Sequence, residues 1–249
     1  MARYTEDALI ELIRRVGIDW KKAIAVEDGT ANLGHDFDIT PERFLEFAKQ
    51  DLEGDDDRAL VNALTNAKRA IDAQIDKVLL SFGVRTDQLG IRRKTEFLQE
   101  LGVATPRIIR KVRDARNYLE HEYKLPEREQ VEDAVDVAVL FVAATEEALH
   151  DFPVYVLLSN VDTLEDEVFW FRDMLMSYFD QVDKQFIFTG RRESEGIKDL
   201  EITITSADPL YPHILKLHMA VKREKGIKKA IAALRDVVVE TREESADAS

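Results

Sequence analysis

Five residues within one stretch of eleven carry the side chains best suited to chemistry: Arg113, Arg116, Asn117, His121 and Tyr123. On an ideal helix Arg113, Asn117 and His121 follow one another at four-residue steps and share a face, with Arg116 one step round beside Glu120. An imidazole, with an ordinary pKa of about 6.5, can take or give a proton near neutrality. A guanidinium keeps its charge and offers a fork matched to phosphate. A neutral amide between them can orient either group. Together these suffice for a metal-free transesterification at an RNA phosphate. His121 would take the proton of a 2′-hydroxyl or protonate the leaving 5′-oxygen, and Arg116 would stabilise the charge growing on the phosphate. The same residues also have a plainer reading. Arg116 and Glu120 form an ordinary i,i+4 pair worth about 0.3 kcal/mol, and a histidine near a helix C-terminus is favoured by the helix dipole alone.

The element that must carry these groups is a helix from Arg107 to about Glu122. Thr105 and Pro106 supply a cap and a first-turn proline. Ile108, Ile109, Val112, Ala115 and Leu119 form its inward stripe. Arg107, Arg110, Lys111, Arg113 and Arg116 face the other way, with Asp114 the single acid among them. This is the densest basic segment of the chain, either a solvated helix face or an anion-binding one. On the second reading Arg110, Lys111 and Arg113 would hold RNA phosphates.

Around it the pattern is helical. Thr40 and Pro41 begin a short helix that Gly54 ends. Leu60, Leu64, Ala67, Ile71, Ile75, Val78 and Phe82 step by threes and fours through a long one. A third helix covers about 91–101. From Glu127 to His150 a further helix has a stripe widened by Val139, Leu140 and Phe141, as a central or dimer-facing helix would. Residues 40–150 therefore read as an antiparallel bundle of four or five helices. Residues 1–39 read as an amphipathic helix at 4–24 followed by a loop.

Past Asp151 the period changes to two. Residues 154–158, 185–189, 200–205 and 215–221 read as strands, as does the aromatic stretch within 168–179. A last helix starts after Gly226. Lys222, Arg223, Lys225, Lys228 and Lys229 gather at its start, as phosphate contacts or as a solvated helix end. The expected fold class is α+β: a helical bundle over 40–150, then a small antiparallel-sheet domain over 151–242, with residues 243–249 a disordered tail.

Composition bounds the rest. A net charge of -14 disfavours a nonspecific nucleic-acid coat but allows a local basic site. With no cysteine, disulfides, thiolate chemistry and cysteine-bound zinc are excluded. His35, Asp36 and Asp38 are a weak metal cluster in a loop. Asp55, Asp56 and Asp57 read better as a helix cap than as cation ligands. No metal and no cofactor are expected. Nor is there a helix-turn-helix pattern, a basic-then-apolar leader, or an apolar run of about 20 residues, so a soluble cytoplasmic protein without membrane contact is expected.

Arg116-Asn117, three residues, His121, one residue, Tyr123 resembles the R-N-x-x-x-H-x-Y motif of the HEPN superfamily, helical-bundle domains of toxins, defence nucleases and related RNases. The resemblance covers about residues 40–150. It implies an HEPN-like bundle acting as a metal-independent endoribonuclease in a toxin or antiviral system. It also implies a homodimer through the bundle, in which Arg116, Asn117 and His121 of two copies form a composite catalytic site. In the toxin branch with the H-x-Y extension the tyrosine is AMPylated by a partner nucleotidyltransferase, so an antitoxin of that kind and modification of Tyr123 are implied too. The alternative is a noncatalytic HEPN-like module that binds RNA, nucleotides or a protein.

Overall fold

The computed structural model describes residues 2–105, 107, 108, 110, 111, 114, 125–160, 174–192 and 197–246. Among them are seven helices and one five-stranded sheet, arranged as two compact units. One unit is Leu33–His150. The other joins Met1–Asn32 to Asp151–Ser249.

The Leu33–His150 unit contains α2 (Pro41–Asp51), α3 (Asp57–Ser81), α4 (Ile91–Glu100) and, after the basic segment, α5 (Arg128–Glu146). The start signals act as their chemistry dictates. Thr40 accepts the Arg43 backbone N–H at 3.3 Å beside Pro41. Asp56 accepts the Ala59 N–H at 2.7 Å, so the acidic triplet caps α3. Leu64, Ala67, Ile71, Ile75 and Val78 of α3 are buried against Val131, Ala134, Val135, Ala138 and Val142 of α5 and their neighbours. The Arg128 guanidinium donates to the Leu52 and Gly54 carbonyls, closing the end of α2.

A charged tie crosses three helices of this unit. Lys77 lies 2.8 Å from Glu146 and 3.4 Å from Glu42, and Gln74 donates to Glu146 at 3.1 Å. Burial alone would lower the Lys77 amine. The hydrogen bond and charge of Glu146, with Glu42 behind it, leave it above its ordinary value. The expected apolar stripe of α5 is narrower than its sequence implies. Phe141 is buried, but Leu140 is 70 % exposed.

In the other unit, α1 (Ala2–Val16), α6 (Tyr211–Lys222) and α7 (Ile227–Ala246) accompany strands β1 (Ile24–Ala31), β2 (Phe152–Ser159), β3 (Met174–Asp180), β4 (Gln185–Arg192) and β5 (Ile197–Ile204). The strands pair in sequence order and all antiparallel. Two expectations are corrected here. Residues 25–37 do not form a single loop, because Ile24–Ala31 is an edge strand paired with β2. Its Glu27-Asp28-Gly29 run hides it, because an edge strand can be polar on its open side. Residues 215–221 are helix, not strand. Ile214, Leu215, Leu217, His218, Met219 and Val221 are all buried, and a helix buried on most sides shows no clean period of its own. Helix α7 extends to Ala246, beyond the point where a disordered tail was expected. Residues 168–173, expected as strand, lie outside the described residues; 174–179 do fall in β3.

The long helical unit is thus an insertion between two neighbouring strands of the sheet. Chain exit and return are tied inside each unit: the Leu33 N–H donates to the Leu149 carbonyl at 2.8 Å, and the Asp151 N–H to the Asn32 side chain at 3.1 Å. Helix α1 packs on β4 at Gly190, where an added Cβ would lie 2.5 Å from Leu12 and 2.7 Å from Val16. No helix among the described residues is long and apolar enough to cross a membrane.

Candidate functional site

The basic segment opens as its sequence requires, with the Thr105 hydroxyl accepting the Ile108 N–H at 3.4 Å. Residues 107, 108, 110, 111 and 114 are helical, and Arg107, Arg110, Lys111 and Asp114 are exposed. Of the residues singled out for chemistry, Arg110 and Lys111 are therefore placed, on the solvent side of a helical turn. Arg113, Arg116, Asn117, His121 and Tyr123 lie outside the described residues.

Lys111 lines a cleft of about 400 Å³ within the Leu33–His150 unit. Leu64, Ala134, Val137 and Leu140 give it apolar walls, while Asp114, Asp133 and Asp136 stand with Lys111 and Gln130 as its polar groups. One ammonium among three carboxylates does not make a phosphate pocket: an incoming anion would meet more repulsion than attraction. It can instead take a group that pairs a cation with an apolar stem. Arg107 and Arg110 do not line it, so they are available to solvent and to phosphate independently of it. The sequence pattern did not reveal this cleft, since Leu140 reads as core and Asp133 and Asp136 as ordinary surface acids.

His35, Asp36 and Asp38 are exposed, with the His35 ring edge-on to Phe37 at 5.0 Å. Among the described residues no cluster of three histidine or acidic side chains is placed to hold an ion.

A second histidine forms a polar contact that sequence reading missed. His218 of α6 is fully buried, its Nδ1 2.8 Å from the Pro153 carbonyl and its Nε2 2.9 Å from the Ser177 hydroxyl. A carbonyl only accepts, so Nδ1 carries the proton and Nε2 accepts from Ser177. Burial pushes the imidazole down to about 4, against a smaller opposing pull from the Pro153 carbonyl. The ring stacks on Phe152 at 5.7 Å and meets Phe186 at 4.8 Å. Ser177 is 1 % exposed, which leaves a substrate no path to the hydroxyl. Despite its serine–histidine geometry, the pair pins α6 to β2 and β3. Its sequence trace is slight: a lone histidine within a run of buried aliphatics.

No family model matches the chain, and neither a curated protein nor a solved structure matches it.

Proposed function

We propose that the protein is a cytoplasmic, metal-independent endoribonuclease of a toxin or antiviral system, with an HEPN-like bundle in the Leu33–His150 unit. The observation that carries this reading is the spacing of Arg116, Asn117, His121 and Tyr123. It follows directly on a helical turn whose exposed Arg107, Arg110 and Lys111 are opposed by Asp114 alone on that segment. His121 accepts the 2′-hydroxyl proton as that oxygen attacks phosphorus. The bond to the 5′-oxygen breaks, the leaving oxygen is protonated, and the products are a 2′,3′-cyclic phosphate and a 5′-hydroxyl end. Arg116 stabilises the charge on the phosphorane, and Asn117 orients its neighbours. Two copies of the chain supply the groups around one phosphate, and Tyr123 is the residue a partner nucleotidyltransferase would modify.

The deciding experiment is RNA cleavage in EDTA by wild type, His121→Ala and Arg116→Ala. The expected outcome is cyclic-phosphate ends from wild type and a loss of about 100-fold or more in each variant. Equal cleavage by wild type and His121→Ala ends the proposal.

The acid-rich cleft beside Lys111 favours a second reading, a noncatalytic module that binds a cationic partner segment. It predicts binding without any cyclic-phosphate product.

A further inference from the structure

The corner between α6 and α7 is the other place where cations gather. Helix α6 closes with the Glu224 N–H bonded to the Val221 carbonyl at 2.8 Å and the Lys225 N–H to the Ala220 carbonyl at 3.1 Å. Glu224 takes a φ of 50°, Gly226 a φ of 78°, and α7 begins at Ile227. This is a tight, doubly bonded reversal, so the side chains around it start from a fixed backbone. Ile231 and Leu234 turn the inner face of α7 into the core, which leaves Lys228 and Lys229 outside with Lys225.

These three lysines differ from the cations that the fold pairs with acids. Arg14 and Arg15 share Glu11, Arg92 holds Glu96, Lys94 holds Asp76, and Lys77 lies between two glutamates. The side chains of Lys225, Lys228 and Lys229 make no ion pair or hydrogen bond with any described residue. The first turn of α7 also lacks an acid. In a chain with a net charge of -14, three unpaired ammonium groups on one rigid corner are a placement that folding alone does not favour.

We infer that this corner is a docking surface for the phosphates of single-stranded RNA, a second contact outside the unit that carries the motif. The inference rests on the nuclease reading for its choice of polyanion. Charge complementarity selects a polyanion. The absence of large apolar side chains there argues against insertion into a lipid surface, since the exposed large hydrophobics among the described residues are Ile39, Val61, Leu125, Leu140 and Val182. The contact is with backbone phosphate, so it carries no base preference.

The test is the salt dependence of binding to a 2′-O-methyl oligonucleotide, which cannot undergo cleavage, for the full chain and for Lys225→Gln/Lys228→Gln/Lys229→Gln. Three lost contacts at about 0.7 each should make the slope of log affinity against log salt shallower by about 2, leaving the variant about 100-fold weaker at 0.1 M salt and level with wild type near 1 M. Lys229→Gln alone should reduce the slope by about 0.7 and guards against a triple variant that fails to fold. Superimposable wild-type and variant salt curves overturn the inference. So does a wild type that binds phosphatidylserine vesicles but not RNA, or one that binds neither. His121→Ala separates the two readings: an inert motif with a lysine-dependent slope ends the nuclease proposal and leaves this contact standing. Cleavage without that dependence does the reverse.

Discussion

The two units answer the same problem, a polar group in ground that water barely reaches, with opposite chemistry. In the Leu33–His150 unit Lys77 keeps its charge between Glu146 and Glu42, and the three side chains bind three helices together. In the sheet unit His218 is held neutral, and its two hydrogen bonds are to uncharged partners. The difference follows from depth. Lys77 retains 16 % of its side-chain exposure, enough to keep an ammonium hydrated, whereas His218 retains none and is ringed by Phe152 and Phe186. The two solutions should fail at different pH.

Acidification is the largest expected effect. Burial holds His218 at about 4, while an unfolded imidazole titrates at 6.5. Between those values the unfolded chain binds the extra proton, so the sheet unit is fully stable above 6.5 and weakens as pH falls towards 4, by up to about 3 kcal/mol. In the helical unit Glu42 lies below its ordinary 4.5, because its hydrogen bonds and the Lys77 charge outweigh burial. The stability it contributes is lost only as pH falls below that value. Neither tryptophan of the chain lies within Leu33–His150, and Trp20 belongs to the sheet unit, so denaturant curves followed by tryptophan fluorescence carry no reporter in the helical unit. A midpoint unchanged from pH 7 to pH 5 would break the contrast.

Next in size is Gly190→Ala. Leu12 and Val16 are fully buried over that glycine and have no room to withdraw, so overpacking should cost the sheet unit about 2 kcal/mol. The fluorescence midpoint should drop. Lys77→Met, which leaves Glu146 without its cation, should cost about 1–2 kcal/mol in the helical unit. The loss should appear in helical circular dichroism and shrink once Glu146→Gln is added. The smallest effect is Asp56→Ala, about 1 kcal/mol from the lost α3 cap, measured the same way. A larger loss from Asp56→Ala than from Lys77→Met would mean that capping, not the charged tie, holds these helices.

The helical unit was readable because its signals are local. Thr40 with Pro41, Asp56, and the three-and-four stepping of α3 each act within a turn or two of their own position. The sheet unit depends on distant pairing. β1 finds β2 more than a hundred residues later, and nothing in Glu27-Asp28-Gly29 announces that partner. Helix α6 is enclosed so fully that its apolar residues fit either period. The motif was legible as spacing alone, and of its basic run the structure places Arg107, Arg110 and Lys111 on the solvent side. The lysine corner was legible as composition. That Lys225, Lys228 and Lys229 meet no acid among the described residues was not, since pairing depends on which carboxylates the fold brings near.

The insertion between β1 and β2 also sets an order of events at the ribosome. β1 is complete once Ala31 has been made, but its hydrogen-bonding partner begins only at Phe152. The whole helical unit is synthesised in that interval, and domains tend to fold as they emerge. A nascent chain whose residues up to His150 have left the ribosome, but whose β2 has not, would therefore present a folded bundle and a bare, unmatched strand, the state of this protein most exposed to chaperones and to aggregation.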